Sequence, residues 1–155
     1  MELEEHIERM KQFIKLLEVR MPDFVATAAM DLKAMIQHRT QEAGKIGDEE
    51  IVQIYMNEAY KRKRRERGRQ TEYVDLTFTR GGAGMFGSTG IVLEESKPGE
   101  ARVVVGGKDE FTQQKLDWNS DRYGDILAPA KEEIDFIEKQ FDKFLEQLAE
   151  EAGVL

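Results

Sequence analysis

The sequence predicts an α+β fold: a small antiparallel sheet of three to four strands packed against long amphipathic helices, with a helical N-terminus and a long C-terminal helix. Three observations carry this expectation. Apolar residues recur at helical spacing from Leu3 to Tyr60, apolar and polar residues alternate between glycine-rich turns from Tyr73 to Val105, and a helical stripe returns from Ile134 to Leu148. At 155 residues the chain is long enough to bury a core, and one domain over residues 1–155 is expected, with residues 1–20 as an N-terminal helical arm.

The arm is read from Leu3, Ile7, Met10, Ile14 and Leu17, spaced four, three, four, three as an a/d seam. Such a seam either packs on the protein's own core or docks on a neighbouring subunit. Pro22 suits the first turn of a new helix and disfavours helical geometry at Met21, so a break is expected there. Val25, Ala28, Ala29, Leu32, Met35 and Ile36 then share one face of a helix running to about Glu42, bracketed by Gly44 and Gly47. Asp48 is placed to cap a third helix containing Ile51, Ile54, Tyr55 and Met56.

That helix leads into the most charged stretch of the chain. Seven of the nine residues from Lys61 to Arg69 are basic and Glu66 alone opposes them, giving about +6 within a chain of net charge −8. Gly68 marks the helix end in a left-handed conformation, with Arg67 favourably placed in the last turn. Beyond it, Val74, Leu76 and Phe78 alternate with Tyr73, Asp75, Thr77 and Thr79 as in a half-buried strand. Further strands are expected at Ile91–Leu93 and Ala101–Val105, joined through Lys97, Pro98 and Gly99. Phe111 to Trp118 fits a short helix or an irregular strand equally well. Pro129 opens the last helix, whose stripe is Ile134, Ile137, Phe141, Phe144, Leu145 and Leu148, with Gly153 at its end.

Composition excludes several chemistries. No cysteine means no disulfide, no thiolate nucleophile and no sulfur-bound zinc, and two histidines leave little for a histidine metal site, so neither metal nor cofactor is expected. No apolar run approaches the roughly 20 residues that cross a bilayer, and the acidic N-terminus is unlike a signal peptide, so a soluble protein made in a cytoplasm is expected. Gly82, Gly84 and Gly87 spell GxGxxG, but a strand follows where a dinucleotide site needs a helix. Met85 and Phe86 at the apex of that loop read instead as exposed contact residues. Neighbouring carboxylates such as Glu94 and Glu95, or Glu132 and Glu133, diverge in a strand or helix, so no acid–base pair is assembled. Trp118 and Tyr123 read as packing or interface residues.

The basic stretch has three readings: a solvated face, a nucleic-acid footprint through Lys61, Lys63, Arg64 and Arg65, or a contact with an acidic protein surface. An acidic complement exists within the chain, where Glu138, Asp142 and Glu146 join other carboxylates on the last helix. A head-to-tail ring would set Lys61, Arg62, Arg64, Arg65, Arg67 and Arg69 of one copy against that helix in the next.

The order of a helical N-terminal region, GRQTEYVDLTFT from Gly68 to Thr79, a glycine-containing turn, short strands, DRYGDILAPA from Asp121 to Ala130 and a closing amphipathic helix resembles tailed-phage virion morphogenesis proteins. These are the tail-completion, tail-terminator and head–tail neck proteins. The similarity spans about Pro22 to Leu155, and the Gly81–Gly90 loop is longer than the family's turn. The resemblance implies a small α+β structural subunit without catalysis or cofactor. It would assemble with itself, usually as a hexamer and sometimes as a larger ring such as a dodecamer. Its neighbours would be neck, portal or tail-tube proteins, and it would reside in the virion after synthesis in the bacterial host cytoplasm.

Overall fold

A computed structural model describes residues 2–77, 84–97 and 100–155. The chain is mixed α+β with a helical N-terminus and a long C-terminal helix. In order it runs α1 (Leu3–Ala43), β1 (Lys45–Ile46), β2 (Ile51–Val52), α2 (Glu58–Glu66), a 3-10 turn (Gly84–Ser88), β3 (Thr89–Lys97), β4 (Glu100–Gly107), α3 (Glu110–Tyr123) and α4 (Lys131–Glu151). Among the described residues the strands form two antiparallel two-stranded sheets, β1–β2 and β3–β4, instead of one sheet of three or four. Contacts gather the chain into two compact units, residues 1–30, 91–104 and 134–155 in the first, and 31–90 with 105–133 in the second.

In the first unit the N-terminal part of α1 lies antiparallel to α4. Phe24 stacks on Phe144 with ring centroids 4.5 Å apart and meets Phe141 at 5.6 Å. At the far end Arg9 donates to the Gly153 carbonyl at 2.9 Å, and between these contacts Arg20 pairs with Glu151 at 2.7 Å. Leu148, Ala149 and Ala152 are the buried residues of α4's end. The stripe expected for α4 packs from Ile137 to Leu148 while Ile134 is exposed, and Gly153 closes the helix at φ +71°.

The break expected at Met21 does not occur, because α1 runs unbroken through Pro22. Proline removes one helical hydrogen bond at a cost of about 3 kcal/mol, and the ring stack made by Phe24 lies within the next turn to offset it. Of the arm seam, Leu3, Ile7, Met10 and Ile14 face solvent and Leu17 is half-buried, so most of it does not take the first of its two readings, packing on the protein's own core; α1 turns Arg9 toward α4 instead.

The second unit holds the larger core, built from Ile36, Ile46, Tyr55, Val74, Phe86, Leu116 and Ile126. α1 ends as expected at Gly44, φ +66°, where a β-carbon would strike the Tyr73 side chain at 2.6 Å. No helix follows Asp48. β1 and β2 pair Lys45 with Val52 and Ile46 with Ile51, and the turn between them uses Gly47 and Glu50 in left-handed conformations. Asn57, accepting from the Tyr60 amide at 2.9 Å, caps α2 in Asp48's stead. Phe111–Trp118 lies within α3, started by a reciprocal pair of hydrogen bonds between Asp109 and Thr112.

Arg39 ties three segments of this unit together. Its Nε lies 3.0 Å from both Glu133 carboxylate oxygens, while its two terminal nitrogens donate to the carbonyls of Lys45 at 2.7 Å and Ala128 at 2.6 Å. Glu133 also accepts from the Ala130 amide at 2.8 Å, satisfying an orphan donor at the start of α4. Among the described residues no helix is long and apolar enough to cross a membrane.

Candidate functional site

α2 has only nine residues, too few to persist on helix propensity alone. What fixes it is Arg64, fully buried at the centre of the basic stretch. Its Nη2 donates to both oxygens of Asp75 at 2.9 and 3.1 Å, its Nε to the Gln70 carbonyl at 2.8 Å, and its Nη1 to the Thr77 carbonyl. The guanidinium lies 4.5 Å from the Tyr55 ring centroid, a cation–π contact in a dry setting.

Asp75 is saturated in turn. Tyr55 donates its hydroxyl at 3.1 Å, Gln70 its side-chain amide at 2.7 Å and Thr77 its backbone amide at 2.9 Å. Burial by itself would raise the Asp75 carboxyl, but the hydrogen bonds from Gln70 and Thr77, with the Arg64 charge, outweigh it and hold the group below the usual carboxylate range. Tyr55 moves the other way, its hydroxyl pushed well up by burial and by the Asp75 carboxylate.

This network corrects two expectations. Residues 73–77 are not a strand: Asp75, assigned to the polar solvent face, is buried, and Leu76 adopts φ +59°, which breaks the alternation. Phe78 and Thr79, the remainder of that expected strand, lie outside the described residues. Arg64, in turn, is withdrawn from any surface, because it is fully buried and all three of its nitrogens donate to interior acceptors. The cations that remain outward are Arg62, Lys63, Arg65 and Arg67, while Lys61 is half-buried against Glu58 at 3.2 Å and Arg69 is half-buried. Among the described residues Arg62, Lys63 and Arg65 have no ion-pair partner.

Phe86 also departs from expectation. It is 1% exposed within the core, with Met85 packed half-buried beside it, so Phe86 is not an exposed contact. The 3-10 turn folds inward because Met85 donates its amide to the Leu76 carbonyl at 3.0 Å. Gly84 permits that approach, since a β-carbon there would sit 2.4 Å from the same oxygen. Its role in the glycine pattern is thus close packing of two backbones; Gly82 lies outside the described residues.

On α4, Glu138, Asp142 and Glu146 recur every fourth residue and are all exposed, without ion pairs among the described residues. The structure therefore gathers the predicted residues into two surfaces, one basic on α2 in the second unit and one acidic on α4 in the first.

A third feature escaped the sequence reading. A cavity of about 1040 Å³ in the second unit is bounded by Tyr55, Tyr60, Met85, Phe111, Lys115, Arg122 and Tyr123. Beside it α3 turns Phe111, Lys115, Trp118 and Arg122 to solvent. The D-x-x-T start of α3 at Asp109 and the spacing four, three, four of that face were the available signals. Among the described residues no group of three or more His, Asp or Glu side chains is arranged to hold a metal ion.

Comparison with protein families, with curated proteins and with solved structures returned no match for this chain.

Proposed function

We propose that the chain is a non-enzymatic structural subunit of a phage or phage-like particle, forming a homo-oligomeric ring at the head–tail neck or tail end. In this reading it is made in the host cytoplasm and meets neck, portal or tail-tube proteins in the virion. The observation that carries the self-assembly is the pair of exposed, oppositely charged surfaces, without ion pairs among the described residues, Arg62, Lys63 and Arg65 on α2 and Glu138, Asp142 and Glu146 on α4. Complementary patches at different places on one molecule make a heterologous contact, which closes into a ring when the rotation allows. The resemblance of Gly68–Thr79 and Asp121–Ala130 to the neck and tail-completion proteins is what supports a place at the neck or tail end in this reading.

Light scattering tests this. The wild type is expected to show a defined mass above the monomer, indifferent to a short DNA duplex. Arg62→Glu with Arg65→Glu should lower that mass, and adding Glu138→Lys with Asp142→Lys should restore it. A monomer that gains mass only with duplex, and loses it as salt rises, would transfer the basic surface to nucleic acid instead.

A further inference from the structure

Two helical seams in this chain share one period and both face solvent. On α1, Leu3, Ile7, Met10 and Ile14 are spaced four, three, four, and Leu3 is 73% exposed. On α3, Phe111, Lys115, Trp118 and Arg122 repeat the same spacing, with Phe111 60% and Trp118 59% exposed and Leu116 buried on the side facing the core. Exposed tryptophan and phenylalanine alternating with cations, beside an open cavity, have the composition of a protein contact whose centre is aromatic and whose charge is positive. The arm seam has the complementary make-up. It is wholly apolar, and Glu2 and Glu4 beside it are exposed without ion pairs among the described residues, whereas Glu5 and Glu8 are occupied by Arg9 and Lys11.

We infer that the first four turns of α1 in one copy dock along the Phe111–Arg122 face of α3 in a second copy. The inference rests on the homo-oligomer reading and supplies it with a second contact. Equal seam spacing lets side chains interdigitate as in a short coiled coil, and Arg122, at one end of the α3 seam, sets the direction of docking by meeting the carboxylates flanking Leu3, which leaves Lys115 about 10 Å further along beside the middle of the arm. About two of those four turns, in a helix 10 Å across, occupy roughly 850 Å³, so the space open beside α3 takes part of the docked segment and the rest lies along the exposed face. A contact this short is weak alone, but a closed ring repeats it with high effective concentration.

Trp118 is the only tryptophan, so its emission reports this face alone. The protein to use is the full chain carrying Ile7→Gln, Met10→Gln and Ile14→Gln, exposed changes that keep good helix formers and leave α3 vacant; circular dichroism checks its helicity. Titration with a peptide of residues 1–17 is expected to give a saturable blue shift, weakened at least tenfold when Lys115→Glu and Arg122→Glu are added. A silent Trp118, an equal shift from a scrambled peptide, or a shift produced only by an oligonucleotide overturns the inference. Failure of the charge-paired ring is distinguishable. If the wild-type mass ignores Arg62→Glu with Arg65→Glu while the peptide titrates, this contact stands without that one; a charge-sensitive ring with a silent Trp118 sinks this contact alone.

Discussion

α2 and α4 both present charge to solvent, yet they are anchored in opposite ways. α4 is twenty-one residues long and rests mainly on its own apolar stripe, so its exposed carboxylates Glu138, Asp142 and Glu146 are surplus to its folding, unlike Glu133 and Glu151, which pair with Arg39 and Arg20. α2 has nine residues, and one of its cations is its anchor: Arg64 enters the core and binds Asp75 while its neighbours point outward. Exposed charge on a long helix can be changed freely, whereas charge on a short one must be sorted residue by residue before any surface role is assigned.

The comparison breaks most sharply at Asp75. Asp75→Ala strands the Arg64 guanidinium in the core and should cost about 4 kcal/mol in denaturant unfolding, the range expected when one partner of a buried ion pair is removed. An unchanged midpoint would show that α2 is held by something other than this pair. For α4 the anchor is apolar, so Leu148→Ala, at a fully buried site, should cost about 3 kcal/mol. Glu138→Gln or Asp142→Gln should then stay within about 0.5 kcal/mol of the wild type, as exposed positions do.

The smallest effect sharpens the contrast through pH. The folded Asp75 carboxyl lies below its ordinary value, so its ionised form stabilises the fold. That contribution is complete above the unfolded value of about 3.9 and is lost as pH falls below it through the folded value. Unfolding midpoints should therefore be insensitive to this group from pH 7 to 5 and decline below about pH 4. Comparison with Asp75→Asn isolates the group, because the variant lacks that portion of the acid loss; identical slopes would remove Asp75 as the cause.

Much of the scaffold is legible in the sequence because it is set locally. The stripe from Ile134 to Leu148, Gly44 and Gly153 after their helices, and Gly68 at φ +69° beyond α2 are determined by periodicity and by backbone conformations that glycine tolerates. Positions decided by distant partners are not legible. Tyr73–Thr77 has the alternation of a strand, but Asp75 is captured by a guanidinium eleven residues earlier and Leu76 turns left-handed. Pro22 carries a break signal that packing of Phe24 overrides. At the candidate site the sign and location of the charge could be read, while which arginine is buried could not, since Arg62, Arg64 and Arg65 differ only in where the helix is turned. Phe86 has the appearance of a loop-tip contact until the backbone approach allowed by Gly84 draws it inside.

The burial of Arg64 also shapes how this chain meets proteolysis. A trypsin-like protease must draw an extended lysine or arginine side chain into a deep pocket before it can cleave, and the stretch from Lys61 to Arg69 offers seven such side chains. The outward-facing ones on α2 need only local fraying of the helix to be captured, because a protease binds extended backbone. The bond after Arg64 is shielded for as long as Asp75 keeps its partner, so cleavage there marks release of α2 from the core and not mere exposure of a basic surface.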